Sequence, residues 1–101
     1  MIRDIYLGKI SIRLDRKLRA LGEAIRQARL RRNMSIEDVM KKAKCSESYV
    51  RRVEKGSAAT CIGAYVRILE ALDLEDNIIL LAQDDKLGRI QYIKNLKNKN
   101  S

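Results

Sequence analysis

The feature that most constrains this chain is the stretch from Ser35 to Gly56, Ser-Ile-Glu-Asp-Val-Met-Lys-Lys-Ala-Lys-Cys-Ser-Glu-Ser-Tyr-Val-Arg-Arg-Val-Glu-Lys-Gly. It divides into two short helices joined by a tight turn. Ser35 followed by Asp38 has the spacing of a capping box, with Asp a weaker third residue than Glu or Gln. Ile36, Val39, Met40 and Ala43 recur at i, i+3, i+4 and i+7, one buried face over two helical turns. Lys44 and Cys45 break that period. Ser46 then caps a second helix, buried through Val50 and Val53 and stopped at Gly56. Its other face carries Glu47, Ser48, Arg51, Arg52 and Lys55, all charged or hydrogen-bonding.

Those residues, and above all Ser35-x-Glu-Asp through Ser46-x-Ser-x-Val-x-Arg-Val-Glu-Lys-Gly56, resemble the helix-turn-helix domain of Xre-type proteins, the phage repressor and Cro-like class. The resemblance spans roughly Leu21 to Ala82. It implies an all-α fold: a five-helix lambda-repressor-like domain with a short N-terminal extension and a C-terminal helical tail. It also implies that Glu47, Ser48, Arg51 and Arg52 meet base edges of double-stranded DNA while Ser46 meets a phosphate. Arg can donate two hydrogen bonds to guanine and Glu can accept from cytosine, so G·C steps are the expected targets. Tyr49 is placed to reach a phosphate or a thymine methyl. The competing reading is that Glu47 pairs with Arg51 one turn later and occupies both. The family's basic residue on the first helix falls here at Arg29, and its acidic partner at Glu54, implying an ion pair between the first and third helices. One position departs from the pattern: Ile36 stands where Gln is usual and removes a phosphate clamp. Lys41, Lys42, Lys44 and Lys55 are replacement cations.

Composition enters as support. With no Pro, Trp or Phe and an apolar content of 46% rich in Leu, Ile and Ala, the chain favours helices over a sheet. At 101 residues it is one small domain that gains from self-association. Charge is unevenly distributed. The net charge of +9 divides into +7 over residues 1–35, +2 over 36–56, −5 over 57–85 and +5 over 86–101. A basic front fits a polyanion, and the acidic segment either meets a protein partner or is a solvated face. Cys45 and Cys61 occur without any His, so the usual zinc sets cannot form within one chain and no metal or other cofactor is expected. Cys45 reads as a small core residue of a reduced, cytoplasmic protein. The longest apolar run, Ile78 to Ala82, is too short to span a bilayer, and no secretory signal is visible.

In chain order, residues 1–14 form an N-terminal extension, 15–83 the helix-turn-helix domain and 84–101 a basic tail. In the extension Ile10, Ile12 and Leu14 alternate like a strand, although a helical extension fits as well. Arg3, Lys9 and Arg13 could follow phosphates. From about Asp15 to Arg32 a helix is predicted on Leu14, Leu18, Leu21, Ile25 and Ala28, weakened at Gly22 by about 1 kcal/mol relative to Ala. Thr60 is the expected cap of a fourth helix facing inward through Ile62, Tyr65, Val66, Leu69 and Leu72, and Asp73 its left-handed stop. A fifth helix is expected from Leu74 to Gln83. Its adjacent Ile78-Ile-Leu-Leu81 cannot all face one core. The resemblance implies a two-fold dimer contact covering Ile79 and Leu80. The alternative cover is the tail itself, through Leu87, Ile90, Ile93 and Leu96 at a spacing of three.

Downstream, Gly63-Ala-Tyr-Val-Arg-Ile-Leu-Glu-Ala-Leu-x-Leu-Glu-Asp76, Leu81-Ala82 and Asp85-x-Leu-Gly-Arg89 are similar to HipB-type antitoxins encoded beside HipA-like serine/threonine kinases. That resemblance implies an autorepressor binding an inverted-repeat operator as a homodimer, with a HipA-like kinase toxin as partner. A phage- or plasmid-type repressor without a toxin, or a protein-interaction module on the same fold, are the alternatives. An enzyme is not expected, since the chain has no His, no phosphate loop and no dinucleotide fingerprint. Asp84-Asp85 reads as a polar bend.

Overall fold

A computed structural model describes residues 10–83 and 86–100. The elements are α1 (Ile12–Arg31), α2 (Ile36–Ala43), α3 (Glu47–Glu54), α4 (Ile62–Ala71), a 3₁₀ helix (Glu75–Ala82) and α5 (Lys86–Asn100), with no strand among the described residues. The expectations for Arg3, Lys9 and Asp84-Asp85 lie outside that range, as does the side chain of Leu87.

α1 starts at Ile12, earlier than the apolar stripe suggests, because Ser11 caps it: its hydroxyl accepts from the Leu14 backbone N–H at 3.1 Å. The alternation of Ile10, Ile12 and Leu14 therefore belongs to a helical start. Nor does Gly22 interrupt α1. A Cβ there would lie 2.5 Å from the Gly56 nitrogen and 2.6 Å from the Glu54 carbonyl oxygen. The missing side chain is what lets the backbone of α1 touch the end of α3. Gly56 completes the contact from the other side. Its φ is +71°, and a side chain on it would run into the Leu18 carbonyl and Arg19 amide.

The core is small and lies between α1, α2, α3 and α4. Ile25, Ala28, Val39, Ala43, Val50, Val53, Ala64, Tyr65, Ile68, Ala71 and Leu72 are buried. The apolar periods of α2 and α3 point inward as their spacing requires. α4 is different. Its buried residues are Ala64, Tyr65, Ile68, Ala71 and Leu72, whereas Ile62 is 67% exposed and Val66 and Leu69 are half-buried. The helix is apolar on two sides, and the period picks out both without saying which one the core uses.

Two further expectations are corrected in this half. Cys61, not Thr60, occupies the cap position of α4 and makes no side-chain cap bond. Thr60 Oγ1 is buried without a hydrogen-bond partner among the described residues. The chain enters α4 one residue later than the hydroxyl signal implies, and the loop is held instead by Tyr65, whose hydroxyl donates to the Ser57 carbonyl at 2.8 Å. Burial pushes the Tyr65 phenol above its usual range. Asp73 does take the left-handed conformation (φ +59°) after α4. The expected fifth α-helix is a 3₁₀ helix, with Ile79 73% and Leu80 57% exposed. Eight residues is long for this geometry. An isolated turn gains α-helical stability mainly from packing, and this one rests on α4 but leaves Ile79 and Leu80 uncovered among the described residues. The tail is helical, but Ile90, Ile93 and Leu96 are themselves exposed, so it does not cover Ile79 and Leu80.

Candidate nucleic-acid interface

The outward face of α3 rests on a scaffold closed at three points. The first is the start of α2. Ser35 Oγ accepts from the Asp38 N–H at 3.0 Å, and Asp38 Oδ2 accepts from the Ser35 N–H at 2.8 Å, so Asp completes both halves of a capping box. The Ser35 backbone N–H, then its hydroxyl, hold the Asp38 carboxyl below its usual pKa. The second is the turn, where Lys44 adopts φ +54° and Cys45 N–H donates to the Met40 carbonyl at 3.2 Å. Ser46 then caps α3, accepting from Tyr49 N–H at 3.3 Å.

The third point is Arg29. Its Nε donates to Glu54 Oε2 at 2.7 Å and its Nη2 to Glu54 Oε1 at 3.2 Å, while Nη1 donates to the Met34 carbonyl at 2.9 Å. The side chains are only 10% and 9% exposed. Two parallel charge-assisted bonds and one to backbone satisfy a guanidinium withdrawn from water. They tie α1 to the end of α3 and to the chain entering α2.

On that scaffold Lys44, Ser46, Glu47, Ser48, Tyr49, Arg51, Arg52 and Lys55 are all exposed. Neither Arg51 nor Arg52 is tucked into the core, and Arg51 is 58% exposed. The competing contact forms too: Arg51 Nη2 lies 3.4 Å from Glu47 Oε1. With both side chains more than half exposed, such a pair contributes little and is readily exchanged for other partners.

Geometry adds Arg67, which sequence reading passed over. It stands on α4 with Nη1 3.5 Å from the Lys44 carbonyl, lining a cleft of about 710 Å³ beside Lys41, Lys44, Ser46 and Tyr49. A signal existed, since Arg67 is the single basic residue between 57 and 85. Cys45 and Cys61 line the same cleft. Burial raises the Cys45 thiol pKa, opposed by the nearby Arg67 charge. No group of three or more His, Cys, Asp or Glu side chains among the described residues could hold a metal ion.

A capped helix, a three-residue turn and a second capped helix that exposes two arginines match the family model described as a helix-turn-helix domain, over residues 20–77. The chain belongs to that family. It is a helix-turn-helix DNA-binding protein of the Xre type. No curated protein and no solved structure matches it. The matched span takes in the buried core from the third turn of α1 to the start of the 3₁₀ helix. No helix among the described residues is long and apolar enough to cross a membrane.

Proposed function

We propose that this helix-turn-helix protein is a sequence-specific transcriptional repressor that binds an inverted-repeat operator as a homodimer. Glu47, Ser48, Arg51 and Arg52 read bases, and Ser46, Lys44, Tyr49 and Lys55 hold the backbone. The observation that carries this reading is the outward presentation of Arg51 and Arg52 on a helix whose base is fixed by the buried Arg29–Glu54 pair. A helix of this kind fits the major groove, and side chains near its N-terminus reach base edges. Exposed Ile79 and Leu80 support placing the two-fold contact on the 3₁₀ helix.

Within this reading the protein is the HipB-type autoregulator and antitoxin of a HipA-like kinase operon. Support comes from the resemblance of Gly63–Asp76, Leu81-Ala82 and Asp85–Arg89 to such antitoxins, with the acidic segment 57–85 and the tail as the surface for the kinase. A gel shift with the chain's own upstream region tests repression. Retention should fall steeply with salt, and Arg51→Ala should weaken specific binding about tenfold or more, as loss of a bidentate guanine contact does. Equal affinity for scrambled duplex would defeat the reading. Co-expression with a neighbouring HipA-like kinase tests the antitoxin role, and absence of a complex would leave a repressor without a toxin.

The 3.4 Å Glu47–Arg51 contact, together with Ile36 in place of the phosphate-clamping Gln, favours a second reading, a protein-interaction module. It requires salt-insensitive partner binding and no DNA retention.

A further inference from the structure

The two ends of α2 differ in charge. Its first turn carries Glu37 and Asp38 and its last turn Lys41 and Lys42, with Lys44 following in the turn. Eight residues of helix set those ends about 12 Å apart. Ile36, the first residue of α2, has no side-chain donor. A polyanion lying beside this helix is repelled at its start and attracted at its end.

α4 adds a cation to the attractive end. Arg67 is exposed and reaches across to the turn, its Nη1 3.5 Å from the Lys44 carbonyl. With Lys41, Lys44, Ser46 and Tyr49 it lines the cleft of about 710 Å³, and no Asp or Glu among the described residues lines it. Nor does any carboxylate among the described residues pair with Arg67. Lys41 meets Glu37 at 3.4 Å, but with the two side chains 76% and 72% exposed that pair is readily exchanged for another anion. Charges of one sign gathered in a cleft focus their field into it. Segment 57–85 is otherwise acidic, so Arg67 is a single cation set against the turn, not part of a general basic surface.

The cleft adjoins the start of α3, since Ser46 and Tyr49, the cap and first turn of that helix, line it. When the start of a helix enters a major groove about 12 Å wide, a sugar-phosphate strand runs along each of its sides. The strand on the α4 side then passes over the cleft, where the planar fork of an arginine can donate two hydrogen bonds to one phosphate. We propose that the cleft between the α2–α3 turn and α4 seats a backbone phosphate of the bound duplex, held by Arg67 and Lys41 together with Lys44. The inference rests on the DNA-binding reading above and adds Arg67 and Lys41 to its contacts. It moves the anchoring of the duplex from the start of α2 to its end. Such contacts fix register and carry no sequence information.

Gel shifts of full-length wild type, Arg67→Gln and Arg67→Lys test it, on the chain's own upstream region and on a scrambled duplex, from about 50 to 200 mM salt. Arg67→Gln should weaken binding to both duplexes by the same factor and lower the slope of log affinity against log salt by about one. Arg67→Lys keeps the charge and should keep the slope. Melts of the variants should match wild type, because the side chain is exposed; where Arg67→Gln melts lower, Lys41→Gln carries the same slope test. An unchanged slope in a variant with the wild-type melt overturns the site, as does a loss confined to the upstream sequence. Neutral methylphosphonates, placed one at a time through the protected stretch, separate a duplex phosphate from the phosphate of a small ligand. One position should weaken wild type and leave Arg67→Gln unaffected, and a scan without such a position overturns the proposal. Wild type that retains DNA while the variants keep its slope removes only the cleft, whereas wild type that retains no DNA removes the repressor reading with it.

Discussion

The two halves of this molecule use similar amounts of apolar sequence to different ends. From Gly22 to Gly56 every apolar period is matched by a facing element, and polar side chains close the seams: the Ser35–Asp38 box, the Ser46 cap and the Arg29–Glu54 pair. From Ile62 onward the apolar residues outnumber the surfaces available to cover them. α4 buries one side and leaves another on a groove, the 3₁₀ helix exposes Ile79 and Leu80, and the tail exposes Ile90, Ile93 and Leu96. The first half is finished within one chain. The second leaves apolar side chains uncovered among the described residues, and the contrast teaches that polar seams can close a helix-turn-helix without the rest of the chain burying its apolar surface.

Breaking the closed half should cost most. Glu54→Ala leaves the Arg29 guanidinium buried with only the Met34 carbonyl as acceptor, and should lower stability by about 3 kcal/mol, read as a large drop in melting temperature. A melt matching wild type would show that the seam is not held by charge. Gly22→Ala would improve helix propensity in isolation, yet its methyl meets the backbone of Val53, Glu54 and Gly56. The expected result is a loss of about 2 kcal/mol, typical of overpacking. A gain would mean that α1 and α3 can separate without cost.

Acid sharpens the comparison next. Asp38 has its pKa lowered in the folded chain by the Ser35 N–H and hydroxyl. Its contribution is therefore present above the unfolded carboxyl value and is lost as pH falls through the folded one. Melts of wild type and Asp38→Asn should differ at neutral pH and converge in acid, and a constant difference would remove the box from the account. The smallest effect belongs to the open half. Leu80→Ser should change monomer stability by less than about 0.5 kcal/mol, as expected of an exposed site. A larger loss, scaling with protein concentration, would show the 3₁₀ face at the dimer contact.

What was legible in the sequence follows the same division. The helix-turn-helix core could be read from local spacing because each signal is decided within four residues: a cap, an i, i+3, i+4 stripe, a stop. Arg29 and Glu54 are 25 positions apart, and only their family resemblance paired them; the structure supplies the forked geometry. Where local signals compete, reading falters. Thr60 offers a capping hydroxyl, but the chain turns one residue later. Gly22 looks like a weakness until its neighbour on α3 is known. Arg67 shows in the sequence only as the one basic residue of 57–85, and its proximity to Lys44 arises only when α4 packs beside the turn.

The amino-acid order by itself determined α2 and α3, their Ser35 and Ser46 caps and the polar face of α3, because those depend on periodicity and on hydrogen bonds between near neighbours. Tertiary structure alone decided which of two apolar sides α4 buries and why Gly22 has no side chain. Those outcomes depend on how closely backbones approach and how many surfaces compete for one small core, quantities that no local pattern encodes.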